Sequence, residues 1–477
     1  MTTTTRKLSN KRKWGYSFGI FADTMGYSMF YSFFFTFLTS VVGVNAAVAG
    51  TISSIGILWD GITDPVVGYL ADQKPHRRRK LIFWTSFPYA ISVVLTFVAV
   101  DFGSVGNAVY YTLCALSFWL FYTTVCVPYY SSVPELTKDY DEQTEVRSFS
   151  AWINSFANLI TLSCPMLLVN FFGTWTHNTG AGWTLTAALF AVIIIAAATI
   201  CSFTLKGAEK EQPEVQEKAV EKKSLGTICV DLIKTFIKVL SLKQVLILFT
   251  AILFCNIYRG FTSTGFTTFM IYGMGWGEAN ISLCYAIMMA SWLIYFPVLN
   301  LACKKWDRKA CLIGGALITF AGRTAIGFLP FATTTVGCYI NVFLSNFLQC
   351  SYLALIFALP YDLAELYEFK NNGAQAASTI QSIPLMAQKI GSALGALVWG
   401  IALDSFGFDG TAAVQTAAAT DGMVKSFCGW INFILLIYVG LLLIYKMNRK
   451  RVELLQEANK ARKEGRKYST EGFEDIL

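Results

Sequence analysis

The sequence predicts an all-α membrane protein with about twelve transmembrane helices. Three observations indicate this fold class: the composition, the length of the apolar segments and the distribution of the cations. Of the 477 residues, 55% are hydrophobic and 14% are charged, whereas about 25% of the residues of a soluble protein are charged. The apolar residues also occur in blocks of about twenty or more, the length at which a helix crosses a bilayer.

Segments of this length recur along the whole chain, and each is predicted to be one transmembrane helix. They are 15–39, 48–73, 81–100, 106–133, 148–172, 184–205, 244–271, 280–303, 310–329, 335–360, 375–402 and 422–446. The first segment follows a basic stretch, but it is longer than the apolar core of a signal peptide and no small-residue cleavage site follows it. We therefore expect it to be retained.

The cations predict the orientation of the spans. With the N-terminus in the cytoplasm, 34 of the 38 Lys and Arg residues fall in tails or loops on the cytoplasmic side. This bias follows the positive-inside rule and predicts that both termini are cytoplasmic. The expected location is the inner membrane of the cell. The net charge of +8 is then explained by topology and by attraction to anionic lipid headgroups, without a nucleic acid partner.

Motifs for other functions are missing from the sequence. The twelve cysteines are scattered, mostly within predicted spans, and include no CxxC pair, which favours small packing residues over a disulfide framework or a metal site. No GxxxxGK(S/T) phosphate loop indicates an ATPase. We therefore expect a protein that performs no covalent chemistry and has no cofactor.

The predicted spans divide into two halves of six. Residues 206–243 are the longest charged interruption, and we predict that they form a cytoplasmic linker whose second part is an interfacial amphipathic helix. The predicted domains are an N-terminal six-helix bundle (1–205), this linker, a C-terminal six-helix bundle (244–446) and a cytoplasmic tail (447–477).

Related segments close corresponding spans of the two halves. VPYYSSVPEL (127–136) closes the fourth span and LPYDLAEL (359–366) closes the tenth, and their Pro-Tyr steps are 232 residues apart. Asp72 and Asp307 each follow a span and precede basic residues, and they are 235 residues apart. The similar offsets indicate parallel six-span repeats, an arrangement in which transporters bind substrate between the halves near mid-membrane. Asp72 and Asp307 are predicted to be gating or structural charges.

Two carboxylates in the second span, LWDGITDPVVGYLAD (58–72), indicate an ion site. Asp60 and Asp64 are four residues apart, so their side chains leave the same face of a helix. Without a cation between them, repulsion and desolvation would leave at least one of them protonated. Carboxylate oxygens are good ligands for hard cations. The pair is therefore predicted to bind Na⁺, Li⁺ or H⁺.

Neighbouring groups extend this predicted ion site. Thr63 adds a hydroxyl oxygen, and Pro65 leaves the Gly61 carbonyl without its usual helical donor. The alternative is a structural ion pair that holds helices together, because Lys389 also falls within a span. Both interpretations place the acids in the interior of the protein.

Further polar residues within the spans are candidates for a binding site. Arg259 is predicted to pair with an acid or to contact substrate, Asp23 to line a cavity, and Arg323 to lie near the outer end of its span and snorkel toward water. Aromatic side chains that could stack on a sugar ring, although each alone is more often a packing residue, are Tyr27, Tyr31, Tyr122, Tyr130, Trp152 and Trp399.

Several segments resemble the glycoside–pentoside–hexuronide:cation symporters, a family with the major facilitator fold. The second-span motif and YTTVCVPYYSSVPEL (122–136) carry the resemblance, with support from YSFGIF (16–21) and QKIGSALGALVWG (388–400). The resemblance covers most of the membrane part. It implies two six-helix pseudo-repeats and uptake of a small solute by alternating access, in which the cation raises the affinity for the solute.

The resemblance also implies roles for individual residues. The residues that match its cation site are Asp60, Thr63, Asp64 and Thr123. Lys389 matches a lysine that links the cation and sugar sites. Together with Arg259, the predicted substrate residues are Asp23, Thr24, Tyr122, Cys126, Tyr130 and Lys389. Cys126 replaces an aspartate and Tyr130 replaces a tryptophan of the family's sugar site, while Asp23 and Thr24 both align near its span-one acid.

These departures leave the solute open. The leading hypothesis is a Na⁺- or H⁺-coupled symporter for a sugar, glycoside or related small polar solute. The second is a carrier for an anionic or amphipathic solute such as a uronate, a sulfonated sugar or a lipid-like molecule, which Arg259 and Lys389 favour. The third is a non-transporting sensor or scaffold, which gains nothing from two buried acids. The expected partners are a small solute and the bilayer, and the expected state is a monomer.

Overall fold

The computed structural model describes residues 8–73, 78–137, 140–206, 239–328, 334–356, 359–370, 377–412, 414–464 and 466–476. Helices make up most of these ranges, and no β-strand occurs within them. The predicted all-α fold class is therefore confirmed. Residues 207–238, with most of the predicted linker and its interfacial helix, lie outside the described residues.

The helices are numbered in chain order. Those up to residue 206 are α1 (Asn10–Phe18), α2 (Ile20–Ser40), α3 (Ala46–Gln73), α4 (Arg78–Thr96), α5 (Gly103–Ser131), α6 (Val133–Leu136), α7 (Tyr140–Ser163), α8 (Pro165–Thr176) and α9 (Thr179–Thr204). Those after residue 239 are α10 (Lys243–Thr268) with a π-helical turn (Phe269–Gly273), α11 (Glu278–Lys305), α12 (Arg308–Phe328), α13 (Thr335–Leu355), α14 (Leu359–Lys370), α15 (Ala377–Ser405), α16 (Ala417–Cys428), α17 (Phe433–Ile444) and α18 (Arg449–Lys463).

The helices account for the predicted membrane spans. In the described part of the chain, 8 helices are long and apolar enough to cross a membrane, and counting the bent pair Glu145–Ser163 and Pro165–Thr176 raises the number to 9. Three further predicted spans fall on α2, α4 and α12, and α4 begins with Arg78 and Arg79. The protein is a multi-pass membrane protein, as predicted.

Helices α3 and α5, which carry candidate site residues, each contain a proline. Pro65 lies inside α3 and Pro128 lies inside α5. A proline has no N–H, so the carbonyl four residues earlier loses its usual helical donor. In α3 this carbonyl belongs to Gly61. In α5 it belongs to Thr124, whose oxygen lies 3.4 Å from the hydroxyl of Thr85 in α4.

Contacts group the chain into two compact units that interleave in sequence. The first unit consists of Met1–Lys218, Phe261–Met289 and Ala396–Met423, and the second of Ala219–Gly260, Ala290–Gly395 and Val424–Leu477. The predicted domains follow chain order instead, with bundles at 1–205 and 244–446. That division stays a prediction.

Glycines and aromatic rings pack the helices of the first unit. A Cβ atom on Gly182 of α9 would lie 2.5 Å from the carbonyl oxygen of Val169 in α8, so only glycine permits this approach. Between α2 and α5, the rings of Phe30 and Phe118 stack with their centroids 4.7 Å apart, and Trp119 is fully buried. This packing holds α5 against α2, and both helices carry candidate site residues.

In the second unit, α10 and α15 approach each other closely. A Cβ atom on Gly391 of α15 would lie 2.6 Å from the carbonyl oxygen of Leu253 in α10, and one on Gly260 would overlap the backbone of Ser392. Glycine has no side chain, so the two backbones can touch. The close contact accounts for the glycine in the QKIGSA segment that also carries Lys389.

The C-terminal tail packs on the second unit through α18 and α14. Asn459 Nδ2 donates to the backbone and side-chain oxygens of Glu365 at 3.0 and 2.9 Å. Arg462 donates to the carbonyl oxygens of Phe369 at 2.8 Å and Glu368 at 3.0 Å, at the C-terminal end of α14. The two Arg462 bonds satisfy carbonyls that the end of a helix leaves without a donor.

Candidate cation and substrate sites

The predicted cation site lies between α3 and α5 in the first unit. Asp60 is 5% exposed, and Thr123 is fully buried. Thr123 Oγ1 donates to Asp60 Oδ1 at 2.9 Å. Thr63 Oγ1 lies 3.4 Å from Thr123 Oγ1 and 3.2 Å from the backbone carbonyl oxygen of Asp60. The structure thus brings three of the four predicted cation-site residues together around one buried carboxylate.

Asp64 extends this site along α3. It lies one helical turn beyond Asp60 on the same face of the helix and is partly exposed. The Gly61 carbonyl lies between the two acids in sequence and lacks its helical donor because of Pro65. With the hydroxyls of the neighbouring threonines, this segment offers oxygen donors. Such a donor set suits a hard cation such as Na⁺, or a proton held on one carboxylate.

Four of the seven predicted substrate residues gather between α2 and α5: Asp23, Tyr122, Cys126 and Tyr130. Tyr122 OH donates to Asp23 Oδ1 at 2.6 Å, and Tyr130 OH donates to Asp23 Oδ2 at 2.5 Å. The Cys126 thiol lies within hydrogen-bonding reach of the same carboxylate. Tyr122, Cys126 and Tyr130 are spaced four residues apart, so they share one face of α5. Tyr130 is 52% exposed, so this cluster reaches the surface of the first unit.

Aromatic rings continue the cluster along α2. Tyr27 and Tyr31 lie one and two turns beyond Asp23, and their rings stack with centroids 4.4 Å apart. The ring of Tyr27 also lies 6.0 Å from that of Tyr122. Small-molecule sites commonly combine aromatic walls with a few polar groups that fix orientation. This combination is present around Asp23.

Two predicted cavity residues of the first unit have other surroundings. Thr24 is 3% exposed and donates to Asn154 Oδ1 of α7 at 2.6 Å. It therefore joins α2 to α7, while its neighbour Asp23 faces α5. Trp399 is fully buried, with its ring 4.9 Å from that of Phe261, so it is a packing residue.

In the second unit, Arg259 lies in a polar cluster. Its Nε donates to Gln349 Oε1 at 2.7 Å, and its Nη1 donates to Asn256 Oδ1 at 2.8 Å. The guanidinium carbon lies 4.2 Å from the centre of the Tyr352 ring, a cation–π contact. Asn256 Nδ2 in turn donates to Tyr352 OH at 2.7 Å. The Gln349, Asn256 and Tyr352 side chains are neutral, and together they orient the guanidinium.

Lys389 and Arg323 are two further cations of the second unit that were predicted to lie within spans, and their surroundings differ. Lys389 is partly buried on α15. The guanidinium carbon of Arg323 lies 4.7 Å from the centre of the Phe427 ring and 5.9 Å from that of Tyr258, and its Nε and Nη1 are buried. Aromatic rings surround this part of Arg323, and its predicted snorkelling toward water stays a prediction.

The predicted gating charges lie at helix ends. Asp307 occupies the turn between α11 and α12. The next residue, Arg308, has its Nη1 atom 3.8 Å from Asp362 Oδ1 of α14. The side chain of Asp72 lies outside the described residues. The gating role of both aspartates stays a prediction.

Comparison with known proteins identifies the family. Residues 15–449 match the family described as MFS/sugar transport protein. The chain belongs to this family. The predicted resemblance to the glycoside–pentoside–hexuronide:cation symporters and the predicted major facilitator fold are both confirmed.

Three relatives are similar to this chain over nearly their whole length. The isoprimeverose transporter of Lactiplantibacillus pentosus is 22% identical over 93% of this chain and 90% of its own. YagG of Escherichia coli strain K12, a candidate glycoside/cation symporter, is 24% identical over 94% of both chains. A candidate sulfoquinovose importer of Salmonella typhimurium is 23% identical over 96% of this chain and 94% of its own.

A solved structure shares the fold. The crystal structure of a D-xylose–proton symporter superposes with a TM-score of 0.65, covering 92% of this chain and 98% of that one at 14% sequence identity. The matched family consists of transport proteins. The protein is therefore a membrane transporter, as predicted.

Three residues that surround Arg259 were not singled out from the sequence. They are Asn256, Gln349 and Tyr352. Uncharged polar residues are common in the spans, and nothing local distinguishes these three from the others. The available signal is indirect: a guanidinium carries five donors and no acceptor, so it needs amide oxygens or aromatic faces at the same depth in neighbouring spans.

Proposed function

We propose that the protein is a symporter that couples the entry of Na⁺ or H⁺ to the import of a sugar, glycoside or related small polar solute by alternating access. The observation that carries this proposal is the buried Asp60 carboxylate that accepts a hydrogen bond from Thr123 at 2.9 Å, one turn from Asp64. Acids within a membrane span mark ion pathways because they are costly to bury. The relatives named as sugar and glycoside transporters support the solute class.

Helix α5 is the proposed link between ion and solute. Thr123 contacts Asp60, and the preceding residue, Tyr122, contacts Asp23. An ion that neutralises Asp60 changes what Thr123 contacts, and a small shift of α5 then alters the hydroxyls around Asp23. Coupling of this kind changes affinity by about 5- to 150-fold.

The Asp23 cluster is the proposed solute subsite. Its carboxylate accepts hydrogen bonds from two tyrosine hydroxyls, and a sugar hydroxyl is the same kind of donor. A sugar can therefore replace one tyrosine at this carboxylate and place its apolar face on the rings of Tyr27 and Tyr31. A solute with several adjacent hydroxyls and one flat face fits this chemistry.

A solute screen tests the proposal. Thermal unfolding of the purified protein is measured with glycosides, pentosides, uronates and sulfonated sugars, with and without Na⁺, at acidic and at neutral pH. Compounds that stabilise are then tested for counterflow in proteoliposomes. Stabilisation that grows with Na⁺ or with acid, followed by counterflow, supports symport. No counterflow across the panel contradicts it and favours a non-transporting sensor.

An anionic solute is the second candidate. Arg259 favours it, because two amide oxygens and the Tyr352 ring hold the guanidinium in one orientation. Guanidinium groups recognise carboxylates and sulfonates through strong, charge-assisted hydrogen bonds. A relative named as a candidate sulfoquinovose importer, a carrier of a sulfonated sugar, supports this candidate. Competition of labelled uptake by neutral glycosides and by their acidic analogues separates the two.

We also infer the setting in which the protein works. The cation bias supports a bacterial inner membrane with both termini in the cytoplasm, and one chain carries both candidate sites, which supports a monomer. Protease access to terminal tags in inside-out and right-side-out vesicles tests the orientation, and the mass of the detergent-solubilised particle tests the monomer.

A further inference from the structure

Two cysteine sulfurs of the second unit are in direct contact. Cys303 lies near the end of α11 and Cys311 lies near the start of α12, and their Sγ atoms are 3.5 Å apart. This is a non-bonded contact, since a disulfide bond is about 2.05 Å long. The residues between the two helices are Trp306 and Asp307, so the thiols lie on the two sides of a very short turn.

We propose that Cys303 and Cys311 form a dithiol modification site that reacts with a small disulfide to give an intramolecular disulfide bond. The Cys303 thiolate attacks one sulfur of the reagent, forms a mixed disulfide and releases one reagent thiolate. The Cys311 thiolate then attacks Cys303 Sγ and releases the second. The protein loses two protons and two electrons, and the reagent is reduced to two thiols.

Cys303 reacts with the reagent before Cys311 does, because the two residues differ in burial. Cys303 is partly exposed, so a dissolved reagent reaches it first. Cys311 is 5% exposed and packs in a buried cluster with Tyr295 and Leu299. Its backbone N–H donates to the Asp307 carbonyl oxygen at 3.2 Å, which holds the start of α12 in place. Cys311 is thus hidden from solvent but within contact distance of the residue it must attack.

The charge around the turn favours an anionic reagent. Lys304, Lys305, Arg308 and Lys309 surround one acid, Asp307, in the sequence between the cysteines. Basic neighbours attract anions. Oxidised glutathione is a small disulfide with net negative charge, and it is the reagent class that this turn fits.

The bond would act on the turn that carries the predicted gating charge. It would close a loop of nine residues, 303–311. From this loop Arg308 reaches Asp362 of α14 at 3.8 Å, and Lys309 Nζ donates to the carbonyl oxygen of Tyr445, just beyond α17, at 2.7 Å. Oxidation would therefore restrict the residues that tie α12 to two neighbouring segments.

Counting thiols tests the proposal. The purified full-length protein is treated with oxidised glutathione, unfolded and alkylated, and its mass is measured. The chain has twelve cysteines, so we expect two fewer alkylated thiols after oxidation, a 303–311 disulfide in the unreduced peptide map, and full recovery with dithiothreitol. An unchanged thiol count, or a loss of thiols without the 303–311 peptide, overturns the proposal.

Three variants separate the steps. Cys303→Ser should keep all of its remaining thiols. Cys311→Ser should stop at a stable glutathione adduct on Cys303. Cys350→Ala, which removes another buried thiol of the same cluster, should still lose two. If Cys303→Ser loses as many thiols as the wild type, the site is not this pair. Gel filtration before oxidation shows that each variant is folded, and Cys311→Ala replaces Cys311→Ser if the latter is not.

Hydrogen exchange gives a second readout. The amides of residues 303–311 should exchange more slowly in the oxidised wild type and return to the reduced rate with dithiothreitol. An unchanged rate despite the disulfide would show that the bond does not restrict the turn and would overturn that part of the proposal. Neither measurement depends on transport, so a failed symport assay leaves this test intact.

Discussion

Tyr122 and Thr123 are consecutive residues of α5, yet their hydroxyl groups contact carboxylates of two different helices. Tyr122 OH lies 2.6 Å from Asp23 Oδ1 of α2, and Thr123 Oγ1 lies 2.9 Å from Asp60 Oδ1 of α3. Successive side chains of a helix diverge by about 100°, so α5 can contact both acids at once. Any displacement of α5 changes both hydrogen bonds together, which is the geometric basis of the coupling that we propose.

Replacing Asp60 by asparagine should abolish cation-driven accumulation of solute. The amide keeps the shape of the side chain but cannot ionise, so it cannot bind a cation as a carboxylate or take up a proton. Uptake driven by an inward Na⁺ gradient and by an inward proton gradient measures the effect. Asp101→Asn is the matched control, because Asp101 is an exposed acid in the connection before α5. Unchanged dependence on both ions in Asp60→Asn would rule out the ion site.

Thr123→Val and Tyr122→Phe should affect different ligands. Each removes one hydroxyl that donates to a buried or partly buried carboxylate, a change of about 1–3 kcal/mol. Thr123→Val should weaken binding of the cation about 5- to 150-fold, with less effect on solute affinity at saturating cation. Tyr122→Phe should show the reverse. Titrations of cation and of solute, followed by thermal unfolding, check this. Equal effects of both variants on both ligands would contradict two separate subsites.

Arg259→Gln should selectively weaken anionic solutes. The substitution removes the charge, and a charge-assisted hydrogen bond contributes about 1.5–3 kcal/mol, so affinity for uronates or sulfonated sugars should fall about 10- to 100-fold. Neutral glycosides should compete as before. Arg259→Lys is the control for charge without the planar fork that contacts Gln349 and Asn256, and it should recover part of the affinity. A loss of neutral and anionic competitors alike would show that Arg259 has a structural role.

Asp362 should make stability depend on pH. Burial raises the pKa of this carboxyl group to about 6, Arg308 opposes this, and the nearby acids Asp307 and Glu365 add to it. Since the unfolded pKa is about 3.9, the contribution to stability is complete below pH of about 4 and is lost as pH rises through about 6. The loss amounts to up to about 3 kcal/mol.

The variant Asp362→Asn tests this pH dependence. It should raise the midpoint of thermal unfolding relative to the wild type at neutral pH, and the difference should vanish in acid. Asp101→Asn again serves as the control and should show no such trend. A variant that is less stable than the wild type at neutral pH would show that the ion pair with Arg308 outweighs the burial of Asp362.

Arg462→Ala should loosen the C-terminal tail. Its guanidinium donates to two carbonyl oxygens at the end of α14 and lies 5.1 Å from the Phe369 ring. Losing these bonds should destabilise the tail by about 1–3 kcal/mol, with faster hydrogen exchange in residues 449–463. Lys460→Ala, at an exposed position of the same helix, should leave the exchange unchanged. Unchanged exchange in both variants would mean that Asn459 and the apolar residues hold the tail without Arg462.

The membrane spans and the Asp60–Asp64 pair were predictable from the sequence. A bilayer requires long apolar helical segments because unpaired backbone groups cannot be exposed to lipid. Helical periodicity then places residues four apart on the same face. Neither argument needs a neighbouring helix. The partners of Arg259 were not predictable in this way, because Gln349 lies 90 residues away on α13 and only packing brings the two together.

The sequence does not decide whether Asp23 or Thr24 faces α5. Adjacent residues of a helix differ by about 100° in direction, and α2 carries polar residues on several faces, so its pattern does not say which face meets α5. Packing decided it: Asp23 meets Tyr122 and Tyr130, while Thr24 meets Asn154. The sequence by itself determined a multi-pass helical transporter with an acid pair in its second span. Only the tertiary structure decided which side chains surround each charge, because rotation and approach of helices depend on the shapes of all their neighbours.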